Sequence, residues 1–206
     1  MDKLQERAIA FQKLTNYQYN IKLGRKGKLY EFIIDFQPGD FFHLIGFQYL
    51  TDLRFLKRSA EQIFQKCIKG DITYSMIENS QHFHTLGYRF ECFNQLEDIL
   101  DNNEIIFKFN KNTMRIYSKI EADYILKYIK DNLNFYLFIE KRKLLNNQFC
   151  KSFFENSVKD YLKGQTRMTL LYKEKINIKT KETQIQYNKL NNKTTSQCFT
   201  TITRKL

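Results

Sequence analysis

Three histidines, His43, His82 and His84, are the side chains of this sequence whose ordinary pKa lets them exchange protons near neutrality. His43 lies in the apolar stretch Phe41-Phe42-His43-Leu44-Ile45, directly after Pro38-Gly39-Asp40. With Asp40 as N-cap, His43 falls at the third position of a short helix, where helix dipole and burial both disfavour the imidazolium. That leaves a neutral base available near neutral pH. The same setting also describes a half-buried histidine that only hydrogen-bonds a carbonyl. His82 and His84 form an HxH pair that would face one way on a strand. Two such ligands without an acidic or thiol partner in register make a weak metal signal, and neither metal nor cofactor is expected.

A second group of polar residues follows Lys151-Ser152-Phe153-Phe154-Glu155, with Tyr161 and Gln165 behind it. Hydroxyl and amide groups near a strand-to-helix transition suit phosphate binding and charge stabilisation, and they equally suit ordinary helix caps. A third pattern lies between Leu170 and Lys181. Leu170, Tyr172, Ile176 and Ile178 alternate with Lys173, Lys175, Lys179 and Lys181. Same-face residues on a strand are roughly 6.6 Å apart, comparable to successive nucleic-acid phosphates, so the lysines read as an RNA-binding ridge or as charges guarding an edge strand. Walker-type loops, GxGxxG, HExxH and GxSxG are absent, which removes the usual supports of nucleotide hydrolysis, dinucleotide chemistry, zincin proteolysis and α/β-hydrolase chemistry.

The elements that must position these residues are legible in outline. Leu4, Ala8, Phe11 and Leu14 share one face of an opening helix over residues 3 to 16. Tyr17 to Leu23 and Lys28 to Phe36 flank Gly24-Arg25-Lys26-Gly27 and read as a hairpin. Short helices follow from Asp40, from Ser59 to Lys69 with Gly70 as stop, from Thr73 to Glu78, and from Tyr88 to Leu100. Strand-like runs then cover Glu104 to Phe109, Arg115 to Ser118, Tyr124 to Ile129, Phe135 to Lys141 and Met168 to Ile178. The pattern predicts an α+β domain over residues 1–187, a helix-rich N-terminal half followed by a twisted, mainly antiparallel β-sheet, with a polar tail over 188–206.

Composition bounds the rest. The 206 residues are 42% hydrophobic and 16% aromatic, enough for one domain with its own core. Thirty-four Lys and Arg against 22 Asp and Glu leave a formal charge of +12, a field that attracts phosphate polyanions. The four cysteines show neither zinc spacing nor a dense disulfide framework. With a charged N-terminus and no long apolar run, a cytoplasmic protein without a membrane partner is expected.

Several short motifs carry a resemblance. They are Phe41-Phe42-His43-Leu44-Ile45-Gly46-Phe47, then Leu50-Thr51-Asp52, and Ile68-Lys69-Gly70-Asp71-Ile72-Thr73. Arg89-Phe90 with Phe93, Ser152-Phe153, and Tyr161 with Gln165 complete the set. Over roughly residues 25 to 175 the chain resembles the phage- and mobile-element-associated nuclease-like proteins grouped with barnase, EndoU, colicin and RelE toxins. The resemblance implies metal-independent RNA cleavage to a 2′,3′-cyclic phosphate by a toxin or phage-conflict effector. On that footing His43 is the base or acid, Arg89 or Lys119 stabilises the phosphorane, and Ser152 with Gln165 holds the phosphate. No second histidine supplies the opposite acid or base, so Tyr161 or a lysine serves. Expected partners are RNA and an antitoxin or other acidic protein. The competing reading is a non-catalytic phage or mobile-element protein that grips nucleic acid or an acidic host-defence protein through the same basic face.

Overall fold

A computed structural model of the chain describes residues 1–114, 120–130, 133–155 and 161–190. α1 (Lys3–Leu14) starts where the Asp2 carboxylate accepts from the Leu4 and Gln5 amides at 2.9 and 3.3 Å. The hairpin of β1 (Tyr17–Arg25) and β2 (Lys28–Ile34) turns at Lys26-Gly27, both with positive φ, the backbone hand that matches strand twist. Five helices follow: α2 (Asp40–Ile45), α3 (Ala60–Lys69), α4 (Tyr74–Glu78), α5 (Tyr88–Cys92) and α6 (Leu96–Asn102). The single helix expected over Tyr88 to Leu100 is broken by a 3₁₀ turn at Phe93–Gln95. The remaining strands are β3 (Ile105–Lys108), β4 (Tyr124–Lys130), β5 (Leu133–Lys141), β6 (Gln148–Glu155), β7 (Thr166–Asn177) and β8 (Thr183–Asn188). The strand expected over 115–118 lies outside the described residues.

The expected architecture, a helix-rich N-terminal half followed by a twisted sheet, is overturned. The strand order is β1-β2-β6-β5-β4-β3-β7, and β7 pairs back onto β1, so seven strands close into a barrel with β8 added on β7. The physical reason is the length of β7. One of its edges pairs with β1 over Thr169–Asn177, while the other takes β3 at Thr166–Met168 and then β8 from Tyr172 to Ile176. The first hairpin and the late strands thus belong to one sheet, and helices α2 to α6 are an insertion between β2 and β3.

Phe32 of β2 stacks on Tyr124 of β4 at 4.5 Å although these strands are not neighbours, so this face lines the barrel interior. Its core is continuous with Leu4, Phe11, Phe41 and Phe64 of the helices. A smaller cluster of Phe109, Ile125, Tyr136, Phe138 and Tyr161 covers the opposite face of the sheet. Closure is weakest at the β2–β6 seam, a parallel contact with one residue pair, Ile34 with Gln148.

Side chains do there what a ladder does elsewhere. Arg142 donates through Nε to Asp35 Oδ1 at 2.5 Å and through Nη1 and Nη2 to the two carboxylate oxygens of Asp40 at 3.1 and 2.5 Å. Asn147 adds a bond to Asp35 Oδ2 at 2.8 Å. Asp40, expected as an N-cap, therefore sits inside the first turn of α2 and serves this lattice. Among the described residues no helix is long and apolar enough to cross a membrane.

Candidate active site

Beyond Gln148, β6 has no pairing with β2, and helices α2 and α5 pack against it. Covering a strand in this way protects it from pairing with another chain. It also brings His43, from α2, and Arg89, from α5, to the same strand that carries Ser152.

β6 is irregular at the decisive place. Ser152 pairs with Phe138 and Cys150 with Ile139, which leaves Lys151 as the extra residue of a β-bulge. Cys150 and Phe153 both enter the main core although they are three apart, which a regular strand does not allow. The bulge turns Lys151 and Ser152 to one side, opposite that core. On this side a cavity of about 420 Å³ opens between α2 and the β5–β6 hairpin, with His43, Glu140, Arg142, Phe149 and Lys151 in its wall.

His43 is exposed and stands in the cavity wall. Desolvation, and then the Lys151 charge, lower its pKa from the ordinary histidine value, with Asp40 opposing. The imidazole is accordingly neutral at neutral pH. Lys151 is held by Glu140, Nζ to Oε2 at 2.5 Å, so its ammonium is fixed beside the cavity.

Arg89 is 7% exposed. Its guanidinium lies 5.2 Å from the Tyr49 ring and 5.8 Å from the Phe154 ring. Nε and Nη1 find no acceptor, and burial lowers its pKa, opposed by Tyr49. No carboxylate pairs with it among the described residues. Gly46, at φ 98°, lets the guanidinium pass, because a Cβ there would meet Arg89 Nη1 at 3.1 Å and Leu86 Cδ2 at 2.9 Å. A buried cation without a counter-ion is costly, and such groups concentrate where an anion is to be bound.

The other expected residues separate. Tyr161 packs in the smaller core, its ring 5.4 Å from Phe154 and 5.3 Å from Phe138. Gln165 spends its amide on the turn after β3: Oε1 accepts from Asn110 N at 2.6 Å, and Nε2 donates to Asn110 O and Thr113 Oγ1 at 3.1 and 3.2 Å. Lys119 lies outside the described residues. Asp52 accepts from Ser80 Oγ at 2.6 Å and Gln81 N at 3.0 Å, pinning the turn before His82. His82 and His84 sit at a 3₁₀ turn, not on a strand. Among the described residues no group of three or more His, Cys, Asp or Glu is placed to hold a metal ion.

The lysine ridge does not form. Leu170 pairs with Leu23 and Tyr172 with Lys22, so Leu171 is an extra residue that switches the face of everything after it. Gly24 makes room for it, since a Cβ there would come within 2.9 Å of Leu171 Cδ1. Lys173 thereby turns inward and donates to the Leu100 and Asn103 carbonyls at 2.9 and 2.8 Å. Lys175 turns inward too and bonds Glu97 and Asp101 at 2.6 and 3.0 Å. Lys179 and Lys181 remain exposed.

Burial pushes the Lys173 pKa down to about 8, from an unperturbed 10.5. Between these values the unfolded chain binds more protons than the folded one, so this lysine makes stability rise with pH across that window. Its penalty is constant below about 8. Replacing Lys173 by Met is expected to flatten that rise, read as the difference in urea midpoint between mutant and wild type from pH 7.5 to 10.5. Parallel midpoint curves would mean that Lys173 titrates normally.

Sequence reasoning passed over Lys151 as a site residue, along with Glu140 and Arg142. The signal that could have found Lys151 is the run Cys150-Lys151-Ser152-Phe153, where two polar residues separate two core-facing ones. Compared with known proteins, the chain matches the family model described as PBECR4, phage-Barnase-EndoU-ColicinE5/D-RelE like nuclease4, over residues 3–190. Comparison with curated proteins and with solved structures finds no match.

Proposed function

Because this chain belongs to the PBECR4 family of phage-Barnase-EndoU-ColicinE5/D-RelE like nucleases, we propose that it is a metal-independent endoribonuclease acting at the face of β6. The observation that carries the reading is the cavity wall shared by His43 and Lys151, with Ser152 next to Lys151 on the bulge of β6. A neutral imidazole and a fixed ammonium on one cavity wall, with a hydroxyl on the residue next to the ammonium, are the parts that transesterification of a phosphodiester needs.

His43 takes the proton of a ribose 2′-hydroxyl. The 2′-oxygen forms a bond to phosphorus while the bond from phosphorus to the 5′-oxygen breaks, and the leaving oxygen collects a proton from the Lys151 ammonium. The product ends are a 2′,3′-cyclic phosphate and a 5′-hydroxyl. Ser152 donates a hydrogen bond to a non-bridging oxygen, and the uncompensated charge of Arg89 beneath α2 favours the phosphorane. The formal charge of +12 draws RNA to the protein, and cleavage of cellular RNA suits a toxin or phage-conflict effector acting in the cytoplasm and restrained by an acidic antitoxin.

A second reading, binding without cleavage, draws support from the sealing of Arg89 Nε and Nη1 inside the protein. Incubation of labelled RNA with the purified protein in excess EDTA separates the two. Cleavage with cyclic-phosphate ends is expected, together with silence on DNA, which lacks the nucleophile. Cutting of DNA, or activity lost in EDTA and restored by a divalent ion, would sink the mechanism.

A further inference from the structure

The cavity beside His43 extends past the groups that the cleavage step uses. Its outer wall is Phe149 of β6 together with Leu144 and Leu145, which stand in the turn joining β5 to β6. Leu144 is 97% exposed and Leu145 49% exposed, an unusual display for two adjacent leucines. The Arg142 guanidinium lies over the Phe149 ring at 4.8 Å, and Lys151 Nζ lies 5.6 Å from the same ring.

The charge of this wall is also informative. The carboxylates Asp35, Asp40 and Glu140 stand against Arg142 and Lys151 and, at the mouth, Lys141 and Lys143, which leaves one positive charge in excess. An aromatic ring with cations close to it, two exposed aliphatic side chains in the same cavity wall and a net positive charge fit a flat, uncharged group attached to a phosphate. Its volume of about 420 Å³ lies within the range of small-ligand sites.

We propose that this part of the cavity is a nucleobase subsite for single-stranded RNA, with Phe149 as the stacking platform and Leu144 and Leu145 as a closing jaw. The proposal rests on the nuclease reading for the phosphate's position next to His43, and on its own geometry for the base. Phe149 acts in binding and specificity, and it takes no part in bond breaking. Single-stranded substrates follow because a base can enter the cavity only when it is free of its helix stack.

Two measurements test it separately from catalysis. In the first, 3′-AMP, 3′-CMP, 3′-GMP, 3′-UMP and ribose 5-phosphate are titrated into the wild-type protein and into Phe149→Leu. Affinity is read by calorimetry and contact by the His43 imidazole proton resonance. At least one mononucleotide is expected to bind about ten-fold tighter than ribose phosphate, the size of a stacking contribution, and to lose that margin in Phe149→Leu. If none of the four mononucleotides binds tighter than ribose phosphate, or the margin persists in Phe149→Leu, the proposal is overturned.

In the second, kcat and KM are measured on a short single-stranded RNA for wild type, Phe149→Leu and the exposed-tip double variant Leu144→Ser with Leu145→Ser. KM is expected to rise about ten-fold with kcat nearly unchanged. An unchanged KM in both variants overturns the subsite while leaving the nuclease reading intact. Base-dependent binding without any RNA cleavage does the reverse, sustaining the subsite and removing the proposed reaction.

Discussion

Replacement of His43 by Gln is expected to lower the RNA-cleavage rate constant about 10²- to 10⁴-fold, the usual contribution of a positioned acid or base. The thermal midpoint should hardly move, because the histidine side chain stands at the protein surface while the apolar face of α2, Phe41, Leu44 and Ile45, is what anchors the helix. The pH profile adds a second reading of the same residue. A general base works in its unprotonated form, so the rate falls on the acid side of its pKa, and burial with the Lys151 charge places that limb below the ordinary histidine value. Replacing Lys151 by Gln removes the proton donor, so turnover falls, and it also removes one of those causes and frees the Glu140 carboxylate nearby, so the acid limb of the residual activity should move to higher pH. Full activity in a stable His43→Gln protein would exclude it as the base. A limb that stays in place in Lys151→Gln would mean that the two groups do not share a site.

The largest effect on stability is expected from Arg142→Ala. Its guanidinium and the two carboxylates it binds are mostly withdrawn from water, with side-chain exposures of 11% for Arg142, 20% for Asp35 and 9% for Asp40. Removing one member of such a group strands the others, a loss of about 3–5 kcal/mol. For a domain of this size that corresponds to a fall in melting temperature of about 6–20 °C. Catalysis should decline as well, since Asp40 opens the helix that carries His43, and Arg142→Lys should recover only part of both losses because an ammonium cannot bridge two carboxylates in the same fork. A melting temperature within a degree or two of wild type would show that the strand contact at Ile34 and Gln148 closes the seam unaided.

Periodicity alone was enough to place most of the individual elements. The opening helix, the first hairpin, the capped helix ending at Gly70 and the strands from Tyr124 and Phe135 all stand close to where their patterns put them. Which strands would pair was not legible, because the alternation in β1 and β7 says that each has a buried face and not that the two lie side by side. Two site patterns are each altered by one inserted residue. Leu171 sends Lys173 and Lys175 into the protein, and Lys151 breaks the alternation of β6. Bulges of this kind are fixed by contacts with partner strands, such as the space that Gly24 leaves for Leu171, and a linear pattern does not contain them. Residue type and resemblance single out His43, Arg89 and Ser152, which the structure brings to the β6 region, together with Gln165 and Tyr161, which it places at a turn and in a core.

The pairing of β1 with β7 also governs the order in which the protein can be made. Tyr17 meets Asn177 and Gly24 meets Thr169, so the first strand to leave the ribosome must wait for one of the last before its second edge is covered. Contacts this distant along the chain slow folding and leave an unpaired edge available to other chains in the meantime. Tyr19 and Ile21, buried in the finished barrel, stay within reach of solvent until then. Synthesis of the β6 face that carries Lys151 and Ser152 therefore finishes before the barrel that supports it has closed, and a nascent chain that stops short of β7 has the residues of the site without the scaffold to hold them.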